Sequence, residues 1–322
     1  MSAPLPFMPS EHLWFNGRLV PWAQATVHVM THALHYGSSV FEGIRCYATD
    51  DGPVFFRATP HIERLLESAR IYRMPVPFGV RELLDACSLV VQRNDLADAY
   101  LRPLVWRGCG GLGLTALDGP IETMIAGFRQ GAPHAGAGGG TRDEGIDVGV
   151  SSWTRVAPNT LPVMAKAGGN YLSTQLIASE ARRHGYDEGI ALDTQGYVSE
   201  GSGSNIFVVR DGVLLTPPLA AGILPGITRD AVITLARWLG YEVREEWLPR
   251  ELLYVASEVL LCGTATEIVA VRSVDGMPVA HGAPGTVTSA IQRAFRGLFT
   301  GDTPDQWGWL ERVGAPAVAL MP

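Results

Sequence analysis

Residues 131–144 read GAPHAGAGGGTRDE, a stretch that limits the possible folds more than its length suggests. A run of glycine and alanine has no side chains large enough to build a core, and it leaves the backbone many conformations. The segment reads as an interdomain linker or mobile loop, and it cuts the chain in two. We expect a small N-terminal α/β domain over 1–133, an interdomain loop over 134–147 and a larger C-terminal domain over 148–322. With 322 residues, 47% of them hydrophobic and 18% charged, the chain has material for two cores.

On either side of that segment the pattern alternates between periods of two and of 3.6. HLWFNGRLVP predicts a hairpin around Asn16-Gly17, and VFEGIRCYATDDGPVFFR predicts two strands around Asp50-Asp51-Gly52-Pro53. HIERLLESARIY places Ile62, Leu65, Leu66 and Ala69 on one helical face, and RELLDACSLVVQRN does the same with Leu83, Leu84, Cys87, Val90 and Val91. AYLRPLVWRG then predicts a strand. Later, IDVGVSSW, EGIALD, NIFVVRDGVLLTPP, EVLLCG and VAVRSVDGMPV predict strands, while NYLSTQLIASEARRHG, ITRDAVITLARWLG and TSAIQRAFRGLFTG predict helices. So many hairpins indicate α+β rather than a doubly wound parallel sheet. No G-x-G-x-x-G follows a strand and opens a helix, so a Rossmann dinucleotide site is not indicated.

Composition removes other classes. Net charge is −7 and the arginines are scattered, which argues against a nucleic-acid partner. No apolar run reaches the ~18 residues of a membrane-spanning helix, and the first residues lack a signal-peptide pattern. The four cysteines, Cys46, Cys87, Cys109 and Cys262, are far apart, which suits a reduced cytoplasm and no structural zinc.

Lysine and arginine together number 25, and only Lys166 is a lysine. Arginine stays protonated at any working pH, whereas a lysine can lose its proton and attack a carbonyl to form a Schiff base. A surface lysine kept by chance is the ordinary alternative. The surrounding LPVMAKAGGNYLST is not a solvated, charged face, however, and Gly168-Gly169 suggest tight packing or close backbone approach.

If Lys166 carries an aldehyde cofactor, three further parts are required. A phosphate cradle fits LPGITRD: Pro225-Gly226 form a turn and a helix starts near Thr228, whose hydroxyl adds a donor unless it only caps its helix. CGTATEI is a second such loop, with the strand breaking at Gly263 and the Thr264 and Ala265 amides beyond it. An acid for a ring nitrogen fits Glu200 in GYVSEGSGSNIF, where a solvated turn glutamate is the alternative. A carboxylate-binding wall fits Tyr100 and Arg102, two apart on one strand face that continues through Leu104 and Trp106. Pro103 between them predicts an edge strand or a bulge.

Taken together, HALHYGSSVFEGIRCY, AYLRP, AKAGGNYL, EGIALD, GYVSEGSGSNIF, LPGITRD and CGTATEI resemble the bacterial branched-chain amino-acid aminotransferases. These are two-domain, fold-type-IV enzymes that use pyridoxal 5′-phosphate (PLP). The resemblance runs from WFNG to FTGDTPDQWGWL and implies reversible transamination of L-leucine, L-isoleucine and L-valine with 2-oxoglutarate. It implies that Lys166 holds PLP as an internal aldimine and shuttles the proton, that Glu200 pairs with the pyridine nitrogen, and that Tyr171 bonds the ring hydroxyl. Arg64 would grip the phosphate with Ile227, Thr228 and Thr264, at turns that include Gly226 and Gly263, while Leu224 packs on the ring. Tyr100 and the Thr264–Ala265 amides would hold the α-carboxylate, and Arg102 the distal carboxylate of glutamate. Phe41, with Tyr36 of the partner subunit, would wall the side-chain pocket, in a homodimer with its active site at the domain interface.

One departure concerns substrate range. After Phe128-Arg129 the enterobacterial relatives carry pocket aromatics where this chain has Gln130 and Pro133. The alternative reading is therefore a related fold-type-IV transaminase of broader range, acting on D-amino acids or (R)-amines. A cofactor-free lysine aldolase is disfavoured by the hairpin-rich pattern, and a non-catalytic binding module leaves the single lysine unexplained.

Overall fold

The computed structural model describes residues 10–115, 117–129, 144–279 and 284–314. Most of the 131–144 segment lies outside the described residues, as do Gln130 and Pro133. The chain is α+β and divides into two compact units: Met1–Gly131 with Ala165–Gly169 and Asp305–Pro322, and Ala132–Met164 with Asn170–Pro304. This corrects the boundaries expected from sequence at two places. The residues around Lys166 join the first unit because Ala167 bridges to Val40, and those after 304 join it because Leu310–Arg312 pairs with Gly52–Phe56.

In the first unit, strands β1 (His12–Phe15) and β2 (Arg18–Pro21) form the expected hairpin. Asn16 and Gly17 both have positive φ, as a two-residue turn matched to strand twist requires. A short helix α1 (His32–Tyr36) leads to β3 (Ser39–Phe41), β4 (Ile44–Thr49) and β5 (Gly52–Phe56). Helices α2 (Ala58–Ile71) and α3 (Val80–Arg93) follow, then β6 (Ala99–Arg107) and β7 (Ile121–Arg129). The antiparallel sheet runs Leu310–Arg312, β5, β4, β6, β7, β1, β2, with β3 also on β6. Ile62, Leu65 and Ala69 of α2 and Leu83, Cys87 and Val90 of α3 pack with Ile44, Leu101, Val105 and Ile125 of the sheet. Each such fully buried aliphatic chain contributes roughly 1.5–3 kcal/mol.

β6 is an interior strand, which corrects the edge expected from Pro103. Its neighbour is interrupted there: β3 ends at Phe41, opposite Leu104, and β4 begins at Ile44, opposite Leu101. Pro103 faces the gap, where the missing N–H breaks no ladder bond, and its carbonyl accepts the Glu42 amide at 2.9 Å.

In the second unit, β8 (Ile146–Val150), α4 (Tyr171–Arg183) and β9 (Glu188–Leu192) form a parallel crossover. Hairpins supply β10 (Val198–Gly201), β11 (Asn205–Arg210) and β12 (Val213–Thr216). α5 (Ile227–Trp238), β13 (Val243–Glu245), α6 (Leu252–Val255), β14 (Glu258–Gly263), β15 (Glu267–Val274), β16 (Met277–Pro278) and α7 (Thr286–Thr300) follow. The sheet order is β10, β9, β8, β15, β14, β11, β12, β13. It is mixed, with β8 parallel to both β9 and β15. No helix among the described residues is long and apolar enough to cross a membrane.

Candidate active site

Lys166 is fixed by backbone contacts on both sides. Its carbonyl accepts the Phe41 amide at 3.0 Å, and its own amide donates to Ser68 Oγ on α2 at 3.0 Å. The ammonium lies 5.0 Å from the centre of the Phe41 ring. A Cβ at Gly168 would come within 2.5 Å of Ser39 Oγ, so glycine lets this segment lie against β3.

On the face of the sheet that carries Phe41, Arg102 stacks over Phe41 at 4.8 Å and over Tyr100 at 5.4 Å. Its Nη2 donates to the Tyr100 hydroxyl at 3.2 Å, and its Nε is buried without a hydrogen-bond partner among the described residues. No carboxylate among the described residues pairs with it. A half-buried guanidinium held by aromatic faces in this way fits a carboxylate ligand.

Arg64 lies on the buried edge of α2 and meets a residue that the sequence reading passed over. Its Nε and Nη2 donate to the two oxygens of Glu42 at 2.6 and 3.0 Å. Glu42 is fully buried and also takes a hydrogen bond from His61 Nδ1 at 2.7 Å. Burial pushes the Glu42 carboxyl up, but Arg64 and then His61 pull it down further, to well below the usual carboxylate range. Burial lowers His61 despite the carboxylate beside it, so the ring is neutral. The available signals were a charge inside a strand pattern, VFEGI, and His61, Arg64 and Ser68 spaced along one helix edge.

The second unit supplies another caged carboxylate. Glu200, on β10, is 6% exposed and receives Arg155 Nη2 at 2.8 Å, the Asn205 side-chain amide at 3.0 Å and the Leu224 backbone N–H at 3.1 Å. It is not a solvated turn residue. Arg155 and Asn205 were not anticipated, although an arginine in the otherwise uncharged SSWTRVAP is a visible signal. Asn205 also donates to the Leu224 carbonyl at 3.0 Å, which ties the 224–226 turn to Glu200.

That turn leads into α5, whose N-cap is Gly226 rather than Thr228. A Cβ at Gly226 would overlap Asn205 Oδ1, so the turn needs glycine for space, not for its φ of −72°. Ile227 and Thr228 occupy the first helical turn, both buried, where backbone N–H groups and the dipole favour an anion. Gly263 ends β14, and Thr264 and Ala265 lie in its connection to β15. Tyr171 opens α4 and is half-buried. Tyr36, at the end of α1, is 42% exposed.

The family model described as amino-transferase class IV matches residues 39–274, which include every residue just named except Tyr36. A branched-chain-amino-acid aminotransferase of Salmonella typhimurium is 57% identical over 307 residues, covering 95% of this chain and 98% of that one. The chain belongs to the class IV aminotransferases, among the branched-chain-amino-acid aminotransferases. The crystal structure of an Escherichia coli branched-chain amino acid aminotransferase matches this class IV aminotransferase with a TM-score of 0.90 at 56% identity. That match covers 95% of this chain and 99% of that one. The branched-chain amino acid aminotransferase of Thermobaculum terrenum, in its PLP-bound holo form, matches with a TM-score of 0.86 at 37% identity, with coverage of 95% and 99%.

Proposed function

We propose that the protein transaminates L-leucine, L-isoleucine and L-valine, passing the amino group to 2-oxoglutarate, with PLP as cofactor and Lys166 as the residue that bonds it. The observation that carries this reading is the setting of the single lysine. Its backbone is fixed by β3 and α2, and its amine lies beside Phe41. PLP supplies an aldehyde for the amino group and a ring that draws electrons from the substrate's Cα–H bond. The donor set fits such a group: a caged carboxylate for a protonated ring nitrogen, a glycine-capped helix start for a phosphate, and an arginine with no carboxylate partner among the described residues for the substrate.

In this reading Lys166 would hold the cofactor and serve as the base and acid that moves the substrate's Cα proton. Glu200, paired with Arg155, would hold the proton on the ring nitrogen. Tyr171 bonds the ring hydroxyl and Leu224 packs on the ring. Arg64, Ile227, Thr228 and Thr264 bind the phosphate, with Gly226 and Gly263 shaping the turns. Tyr100 and the Thr264 and Ala265 amides hold the α-carboxylate. Phe41, with Tyr36 of the partner subunit, bounds the apolar side chain, and Arg102 pairs with the distal carboxylate of glutamate. The active form is then a homodimer.

Borohydride reduction of the holoenzyme followed by peptide mapping tests the central assignment. The reduced cofactor is expected on Lys166 and nowhere else. Lys166→Ala and Lys166→Arg should lose both the adduct and nearly all turnover of L-leucine. A reducible adduct that survives in Lys166→Ala, with the N-terminal amine excluded, defeats the reading.

A further inference from the structure

Glu42, His61 and Arg64 form a cluster with no need of solvent. Glu42 and His61 are 0% exposed and Arg64 is 8% exposed. The carboxylate accepts four donors: Arg64 Nε and Nη2, His61 Nδ1 at 2.7 Å and the Gly43 amide at 3.2 Å. An ion pair buried this deeply is a weak device for stability alone, since well-packed apolar residues in its place are often neutral or stabilising. His61 adds to the cost. Facing a carboxylate, its Nδ1 must carry the hydrogen, so Nε2 is a bare acceptor, buried and without a partner among the described residues. Leaving such an atom unmatched costs about 1–3 kcal/mol. A cluster retained at that cost is a candidate for a role other than holding the fold.

The geometry indicates what that role is. A lone arginine side chain samples many rotamers, whereas a bidentate carboxylate fixes the plane of its guanidinium. Glu42 cannot itself drift, because His61 and the Gly43 amide hold its second oxygen. It sits beside Phe41, whose amide bonds the Lys166 carbonyl, and Ser68, further along the same edge of α2, bonds the Lys166 amide.

We propose that Glu42 and His61 are positioning residues for the phosphate of the cofactor: together they lock the Arg64 guanidinium in the one orientation that binds it. The proposal rests on the reading that Arg64 serves that phosphate. His61 acts on the ligand through two intervening residues, as the donor that keeps Glu42 in place.

The test uses two ligands that differ only in the phosphate, PLP and pyridoxal. Both react with Lys166, so the ratio of their affinities isolates the phosphate contribution. Affinities are measured on apoprotein by absorbance titration. His61→Met, a flexible replacement of similar bulk, should weaken PLP roughly tenfold, the worth of one hydrogen bond to a charged group, and leave pyridoxal unchanged. His61→Asn, which puts an amide donor where Nδ1 was, should recover most of the loss. If His61→Met does not fold, Glu42→Gln carries the same comparison, since an amide cannot accept both arginine donors. Equal losses for the two ligands, or none for PLP, overturn the proposal. The double variant Glu42→Gln/Arg64→Gln, which leaves no unpaired buried charge, checks the premise. A wild-type affinity ratio there means that Arg64 does not serve the phosphate. A ratio that collapses there but holds in His61→Met and Glu42→Gln removes only the positioning role.

Discussion

The two units each bury a glutamate against an arginine, and the two pairs are built in opposite senses. In the first, Glu42 is fully enclosed, and its side-chain partners among the described residues are the adjacent Gly43 amide and two residues of α2. In the second, Glu200 sits on β10 and draws its partners from three separate places: the loop carrying Arg155, the start of β11 and the 224–226 turn. In the proposed reading the arginine of the first pair meets the cofactor and the carboxylate supports it. In the second pair the carboxylate meets the cofactor and the arginine supports it. An ion pair therefore does not announce which of its members is chemical.

Unpairing the second cage gives the largest expected effect. Arg155→Met leaves Glu200 buried without its counter-charge and should lower stability by about 3–5 kcal/mol in denaturant unfolding. A loss below ~1 kcal/mol would mean the pair is solvated. Glu200→Gln keeps the side chain's size and leaves the phosphate and aldehyde contacts of the proposed reading in place, so PLP should still bind while kcat falls on the order of a hundredfold, because in that reading the ring nitrogen is no longer held protonated. An unchanged kcat would reduce the second pair to a structural one. Arg102, which no cage holds, should behave differently again. Arg102→Met should cost about 1.5–3 kcal/mol in the glutamate half-reaction and little in the leucine half-reaction, and equal losses refute its role with the distal carboxylate.

The smallest effect concerns a carboxylate held by hydroxyls. Glu180 is bonded by the Ser151 and Ser152 hydroxyls and by the Ser152 amide, which together hold it down at about 2. A depressed folded-state value stabilises the protein above the unfolded carboxylate range and ceases to do so as pH falls through about 2. Glu180→Gln should thus cost about 1–2 kcal/mol at neutral pH, with the gap to wild type closing between pH ~4.5 and ~2. A pH-independent gap would point to packing instead.

What the sequence made legible was local. The Asn16-Gly17 turn, the amphipathic faces of α2 and α3, and the break of β14 at Gly263 depend on neighbours in the chain, whereas Glu200, expected in a Ser/Gly-rich turn, lies on β10. β7 passed unread because Met124, Ala126 and Phe128 on one face and Thr123 and Ile125 on the other are all apolar or buried enough to hide the alternation. The partners of both cages are long-range: nothing near residue 155 points to 200, and nothing near 42 points to 61 and 64. Pro103 misled for a related reason. Its missing donor is accommodated by a break in the neighbouring strand, which no local pattern encodes.

The tie between Gly226 and Asn205 has a consequence for anyone screening variants. A side chain added at position 226 would displace Asn205, and Asn205 is one of the groups that orients Glu200. A substitution in what looks like an anion-binding turn would then reach a second group as well, the carboxylate that faces the ring nitrogen in the proposed reading. Screens scored by cofactor retention alone would register only the phosphate site, and a spectral or single-turnover readout would be needed to expose the second defect.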